Sequence, residues 1–134
     1  MMHLAMNWVK AKYVPKTYIN MPNDSFEILR RNFNMFGLGQ KTGVDLPGEV
    51  SGIQGKSFNS KGQILSGSVL DLAYGNYDAY TPIQLVQYVS TIANGGYRMQ
   101  PYVVQSVGKT SSDGKKIYIN YNKTPNVQQQ IPWT

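Results

Sequence analysis

Apolar residues recur at steps of three and four in three stretches of the chain, the repeat of a helix with one face turned inward. In the first, residues 1 to about 12, Met2, Met6 and Val9 form a stripe with Leu4 and Trp8 beside it. No Ser, Thr, Asp or Asn precedes Met1 to cap the first amides, so this helix is expected to begin upstream. The second runs from about Ser25 to Phe36 and carries Phe26, Ile28, Leu29, Phe33 and Phe36. Asp24 and Glu27 stand in capping-box spacing at its start, and Gly37 and Gly39 supply residues able to take positive φ at its end. The third gives the sharpest signal: Thr81 as N-cap, Pro82 at the first helical position and Gln84 closing the box. Ile83, Val86 or Leu85, Val89, Ile92 and Ala93 predict an apolar face, and Asn94-Gly95-Gly96 with Pro101 predicts the exit.

Between the second and third helices, residues 37 to 67 are so rich in glycine that a long, partly irregular connection is expected. Beyond Pro101 the repeat changes. The stretch "YVVQSVGKTSSDGKKIYINYN" reads as a β-hairpin, with Asp113-Gly114 in the turn and Ile117, Ile119 and Tyr121 alternating onto one face. The tail "KTPNVQQQIPWT" shows no period and no strand partner, which predicts a chain cut from something larger. These elements give an α+β class, mainly helical with a C-terminal hairpin, in one domain or a piece of one.

The chain has 134 residues, 41% of them hydrophobic and only 15% charged, a composition that folds but leaves the polar surface to amides, hydroxyls and glycine. Thirteen Lys and Arg against seven Asp and Glu give a formal charge of +6. Apart from the pairs Arg30-Arg31 and Lys115-Lys116 the cations are dispersed, which argues for a solvated surface rather than a nucleic-acid patch. "KKIYINYNK" mixes cations with tyrosines as single-strand binders do, but its alternation assigns the apolar residues to a strand face. With no cysteine there is neither disulfide nor thiolate metal site, and the single His3 with scattered acids gives no metal-ligand spacing. No apolar run reaches membrane-spanning length and the N-terminus lacks a signal-peptide pattern, so any anchor is expected outside this chain.

Three strings spell the motifs of penicillin-recognising serine enzymes. Ser112 to Lys115 matches S-x-x-K, Ser57 to Asn59 matches S-x-N, and Lys41-Thr42-Gly43 matches K-T-G. Their context contradicts their spelling. A nucleophile box needs a helix, so that serine and lysine share a face one turn apart, whereas Ser112 falls in a predicted hairpin turn. The order is reversed as well, with K-T-G first, and Lys41 lies between a helix and a Gly-Pro loop rather than on a strand edge that could pair with a peptide. Lys41, Ser57 and Ser112 are therefore read as decoys, and no catalytic residue is assigned.

Two longer blocks carry a resemblance. "FNMFGLGQKTGVDLPGEVSG" and "LAYGNYDAYTPIQLVQYVSTIANGGYRMQPYVV" resemble class B penicillin-binding proteins, the monofunctional peptidoglycan transpeptidases. Those enzymes carry F-G-x-G-x-x-T-G-x-D-L-P-x-E, here Phe36 to Glu49, and then a Gly-Gln loop leading to T-P-x-Q-L and a helix ending A-N-x-G, here Gly75 to Pro101. The resemblance implies that residues 1–134 are a central fragment of one transpeptidase domain of the penicillin-binding and serine β-lactamase-like fold, without separate domains. The nucleophile box and second serine motif would lie upstream, and the true K-T-G strand downstream of Thr134. It further implies a parent that cross-links stem peptides through a serine acyl-enzyme, without cofactor or metal, outside the bacterial cell membrane. The implied partners are the peptidoglycan stem peptide, β-lactams and the rest of the domain, with no nucleic acid, and the fragment alone would be inactive. Gly75 and Asn76 correspond to the loop that borders the cleft, with Asn76 departing from the usual Gln. Thr81 and Pro82 read as structural. The rival reading is a self-standing basic module that binds a wall polymer, a membrane surface or nucleic acid.

Overall fold

The computed structural model describes residues 2–132, with the side chain of Met2 excepted. The start predicted before Met1 lies outside that range, and the Met2 member of the first stripe lies outside the described side chains. α1 (Met2–Trp8) buries Met6 on one side, with Val9 just beyond its end, and leaves Leu4 and Trp8 exposed. It is shorter than the predicted dozen residues, because Lys10 turns left-handed at φ 56° and the Ala11 amide reaches back to the Met6 carbonyl at 2.8 Å. α2 (Ser25–Met35) buries Phe26 and Leu29 as its stripe predicts. α3 (Ser66–Ala73), which the sequence did not announce, buries Val69 and Leu72 between the first two. Met6, Val9, Met21, Phe26, Leu29, Val69 and Leu72 form one apolar core, so these three helices hold each other through the hydrophobic contacts that dominate folding.

The capping box predicted at α2 is absent. Asp24 sits at φ −90°, ψ 2°, a turn conformation in which its carboxylate makes no cap bond; Ser25 instead donates its hydroxyl to the Pro22 carbonyl at 2.6 Å. α4 (Pro82–Ala93) has the predicted box in full: Thr81 is extended at ψ 152°, its hydroxyl accepts from the Gln84 amide, and the Gln84 side chain accepts from the Thr81 amide at 3.0 Å. The face of α4, however, is the reverse of the prediction. Gln84, Gln87 and Thr91 are buried, while Leu85, Val86, Val89 and Ile92 are exposed. The polar side takes the interior because the Gln84 and Gln87 amide groups and the Thr91 hydroxyl each donate to a specific acceptor, which offsets most of the cost of dehydrating them. Gln87 Oε1, by contrast, is buried without a hydrogen-bond partner among the described residues.

After α4, Gly95 and Gly96 turn the chain into β1 (Tyr97–Met99), which pairs antiparallel with β4 (Val127–Gln130) in the tail that was expected to lack a partner. Between them β2 (Ser106–Thr110) and β3 (Ile117–Asn122) form the predicted hairpin, with Gly114 at φ 70° in its turn. Ile117, Ile119 and Tyr121 are exposed rather than packed on a core, as are the residues on the other face. The hairpin thus projects from the body with neither face covered among the described residues. Residues 37 to 65 are irregular as predicted, pinned by single bridges between Ile53 and Ala79 and between Phe58 and Ile64.

Candidate functional site

The loop from α3 to α4 holds the two residues that the resemblance assigns to the cleft. Its start is a helix C-terminus closed by glycine: Gly75 takes φ 88°, its amide reaches the Leu72 carbonyl at 3.0 Å, and the Asn76 amide reaches the Asp71 carbonyl at 2.9 Å. A residue with a Cβ would resist that φ. Gly75 and Asn76 are exposed at the apex. From Tyr77 onward the loop is tied down. The Tyr77 hydroxyl donates to the Lys56 carbonyl at 2.6 Å and its ring meets Phe26. Ala79 bridges Ile53, and Thr81 then caps α4.

The strongest tie is Asp78, whose side chain is 1% exposed. Arg30 of α2 reaches it with a two-pronged pair, Nε to Oδ2 and Nη2 to Oδ1, each 2.7 Å. The same guanidinium donates to the Ser57 hydroxyl at 3.0 Å and the Gly55 carbonyl at 2.9 Å, and the Gly55 amide donates to Asp78 at 2.8 Å. The hydrogen bonds that the guanidinium donates to Asp78 raise the Arg30 pKa above its ordinary value despite the opposing effect of burial. Burial, with the nearby Asp78 charge, pushes the Tyr80 phenol up to about 12. Such a bidentate, nearly dry pair fixes geometry better than a point charge would. Arg30 and Asp78 thus lock three segments together under the exposed loop. Sequence reasoning passed over both, since two residues 48 apart give no local pattern.

The three decoy strings are dispersed. Lys41 is exposed, and the two residues after it are consumed by internal bonds. Thr42 is buried, and its amide and hydroxyl donate to Glu49 at 2.5 and 2.6 Å. The Gly43 amide donates to the other Glu49 oxygen at 3.0 Å. The carbonyls of Thr42 and Gly43 accept from Gln128 and Gln100 at 2.7 and 2.6 Å. Gly43 lies at φ 76°, outside strand geometry. The Ser57 hydroxyl faces the Arg30 guanidinium, which cannot act as its base. Ser112 is in the exposed hairpin turn, where its neighbours Ser111 and Asp113 bond to each other.

The acids of the 36–49 block have structural work. Partial burial raises the Glu49 pKa, but the three hydrogen bonds from Thr42 and Gly43 outweigh it and leave the carboxylate below its ordinary value. Asp45 accepts from the amides of Val103 and Val104 at 2.7 and 3.0 Å and is lowered by the same kind of bond. The block is a staple that ties the connection to the strand region. Among the described residues no three His, Cys, Asp or Glu side chains cluster as a metal site, and no helix is long and apolar enough to cross a membrane.

Comparison with known proteins agrees with this arrangement over nearly its whole length. The profile of the family described as the penicillin binding protein transpeptidase domain matches residues 5–133. Penicillin-binding protein 2A of Bacillus subtilis (strain 168) is 49% identical over 107 residues, which cover 80% of this chain and 14% of that protein. Penicillin-binding protein 2B of Streptococcus pneumoniae (strain R6) is 35% identical over 116 residues, covering 85% of this chain and 16% of that one. The solved structure of penicillin-binding protein 2B from the same strain superposes with a TM-score of 0.85 at 29% identity, over 99% of this chain and 21% of that chain. This chain therefore spans only a small part of the length of its relatives, and a self-standing binding module finds no support in them. With its fold, its order of elements and its sequence matched from one end to the other, the chain belongs to the penicillin-binding protein transpeptidase domain family.

Proposed function

We propose that residues 1–134 form the central part of the transpeptidase domain of a class B penicillin-binding protein and, by themselves, carry out no chemistry. In the parent, a serine outside these residues attacks the carbonyl of the penultimate D-Ala of a stem peptide. The Ser–O–acyl bond forms as the peptide bond to the terminal D-Ala breaks, and that D-Ala leaves with the serine's proton delivered to its amine. An amine of a second stem peptide then attacks the ester, forming the cross-link and returning the proton to the serine. β-Lactams enter at the first step. Such acyl transfer needs an activated serine and oxyanion donors rather than a cofactor.

The observation that carries this reading is the superposition of 99% of the chain on a penicillin-binding protein at TM-score 0.85. The share of the chain in this reading is scaffolding: the Arg30–Asp78 pair holds the loop whose apex, Gly75 and Asn76, borders the cleft. Asn76 has a shorter amide reach than the glutamine of the family pattern, so it serves as wall rather than as a copied substrate contact. The parent acts on the outer side of the bacterial membrane, held by an anchor elsewhere in its chain. Labelling the whole protein with a fluorescent penicillin and mapping the modified peptide tests the reading. A single labelled serine outside residues 1–134 is expected; no covalent label, or a label on Ser57 or Ser112, overturns it.

A further inference from the structure

Two segments distant in sequence, residues 18–23 and 59–67, wall an open hollow of about 820 Å³. The Met21 amide donates to the Ser66 hydroxyl at 3.2 Å and holds the walls together. The second wall is stiffened from within: Asn59 Oδ1 accepts from the amides of Lys61 and Gln63, each at 2.9 Å, and Asn59 Nδ2 donates to Gln63 Oε1 at 3.0 Å. That pairing leaves Gln63 Nε2 unused. The side chains of Asn20 and Asn23 make no hydrogen bond among the described residues. Ile19 and Ile64 line the hollow from the side of the core, and Tyr18 is fully exposed beside it. No charged residue lines it among the described residues. Gly67, inside α3, also opens onto it. A helix penalises glycine, the φ of Gly67 is not left-handed, and a Cβ there would meet no atom within 4 Å, so neither turn geometry nor close packing requires it. What the missing side chain leaves is room in the hollow.

We infer that this hollow seats a neutral sugar unit of the glycan strand from which the stem peptide hangs. Its volume falls in the roughly 300–1,000 Å³ of small-molecule sites. An uncharged lining gives no purchase to a phosphate, a carboxylate or a metal ion. A sugar presents hydroxyl and acetamido groups at its ring edge and C–H bonds on its faces, and the acid that joins it to the peptide is consumed in an amide. The unpaired amides of Asn20, Asn23 and Gln63 suit the edge, since they combine donors with acceptors. The Tyr18 ring and the two isoleucines suit the faces. Position agrees with chemistry. The hollow opens at Ser66 and Gly67, where α3 begins, and the cleft-bordering Gly75 lies just past its other end. The 8 residues of α3 rise about 12 Å. About four residues of stem peptide ahead of the scissile bond span about 13–14 Å when extended. A sugar held at the start of α3 thus delivers the scissile bond to the loop at its end. The inference rests on the proposed function, which supplies the stem peptide, and adds to it a subsite for the sugar.

The test compares, on the whole protein, a fluorescent penicillin, a sugar-free stem pentapeptide, and the same pentapeptide carried on its N-acetylated disaccharide, with D-Ala release followed for the two peptides. Gly67→Phe fills the hollow without forcing the backbone, and Asn20→Ala combined with Asn23→Ala removes free amides from exposed positions. Each variant is expected to raise KM for the disaccharide pentapeptide at least about 10-fold, with KM for the sugar-free peptide and the rate of penicillin acylation within about twofold of wild type. Equal losses on both peptides, or no loss on either, overturn the inference. So does a wild-type protein that treats the two peptides alike. If another part of the polypeptide fills the hollow, Gly67→Phe lowers the melting temperature and the peptides are not discriminated, which also overturns it. Where Gly67→Phe is merely unstable, the double alanine variant decides. A whole protein that takes no penicillin sinks the transpeptidase reading and this inference with it, whereas normal penicillin acylation without discrimination between the peptides sinks this inference alone.

Discussion

Thr81 and Asp24 are spelled alike, each a cap-type residue three positions before Gln84 or Glu27, yet only one of them caps. The difference is a single backbone angle: ψ 152° at Thr81 aims its oxygen at the Gln84 amide, and ψ 2° at Asp24 turns the carboxylate away. Thr81→Ala is therefore expected to cost about 1 kcal/mol in thermal denaturation, and Asp24→Ala less than about 0.5 kcal/mol. Equal losses would show that the carboxylate caps in solution. The residue types were legible in the sequence, and the angle was not. Asp24 is drawn into the Pro22 turn by Ser25, and nothing in the Asp24–Glu27 spacing announces that competition. Glu49 adds a pH dependence at the same scale. Its folded pKa is lowered, so its contribution is complete above the ordinary value of 4.5 and is lost as pH falls through the folded value. The gap in melting temperature between the unaltered protein and Glu49→Gln is thus expected to hold at neutral pH and to shrink as pH falls below the ordinary value of 4.5 through the lowered folded value. A gap that stays constant would remove the staple from the account.

Elements show where sequence reading succeeds and where it stops. α2 and α4 were placed almost to the residue, since each has its period and a recognisable end. α3 was missed because its start is Leu65, which has no side-chain cap, and Gly67 interrupts its interior. β4 was missed because Val-Gln-Gln-Gln alternates nothing; Gln128 is an inward partner, bonded to Gln87 and to the Thr42 carbonyl. The reversed face of α4 has the same origin: periodicity gives the axis that separates apolar from polar residues, but not which side this stretch of chain covers. Long-range ties are equally silent in sequence, and the Arg30–Asp78 pair is the clearest. Asp78→Ala leaves a partly buried guanidinium with a Ser57 hydroxyl and a carbonyl as its only hydrogen-bond partners among the described residues, and the Gly55 amide loses its acceptor. In the whole protein this is expected to cost about 3 kcal/mol or more in urea unfolding, because removing one partner strands the other. Amide exchange at residues 74–80 should quicken with it. Unchanged exchange there would mean that Tyr77, the Ile53–Ala79 bridge and the Thr81 cap hold the loop unaided.

At the scale of the whole molecule, the question is what the Lys41-Thr42-Gly43 triplet does in a protein whose family uses those three letters for catalysis. A catalytic lysine must reach a serine hydroxyl or a substrate carboxylate at hydrogen-bond distance, and the strand that carries it must leave its edge free for the peptide. Neither condition holds at this triplet. Gly43 is left-handed, and the Thr42 amide, hydroxyl and carbonyl are bonded to Glu49 and Gln128. The Gly43 amide and carbonyl are likewise taken by Glu49 and Gln100. The side chain of Lys41 lies on an exposed loop and adds only the smallest of the effects that lower Glu49. The triplet is thus part of the joint between the irregular connection and β4, and its threonine matters to that joint while its lysine does not. Lys41→Ala is accordingly expected to change stability by no more than about 0.5 kcal/mol, as surface substitutions do, and to leave the rate of penicillin acylation of the whole protein within about twofold of wild type. Thr42→Val keeps the shape but leaves a Glu49 oxygen short of the hydroxyl, and is expected to lower stability by about 1 kcal/mol or more. A Lys41→Ala variant that melts like wild type yet no longer acylates would make the triplet catalytic after all, and would require this loop to rearrange into a strand when the rest of the domain is present.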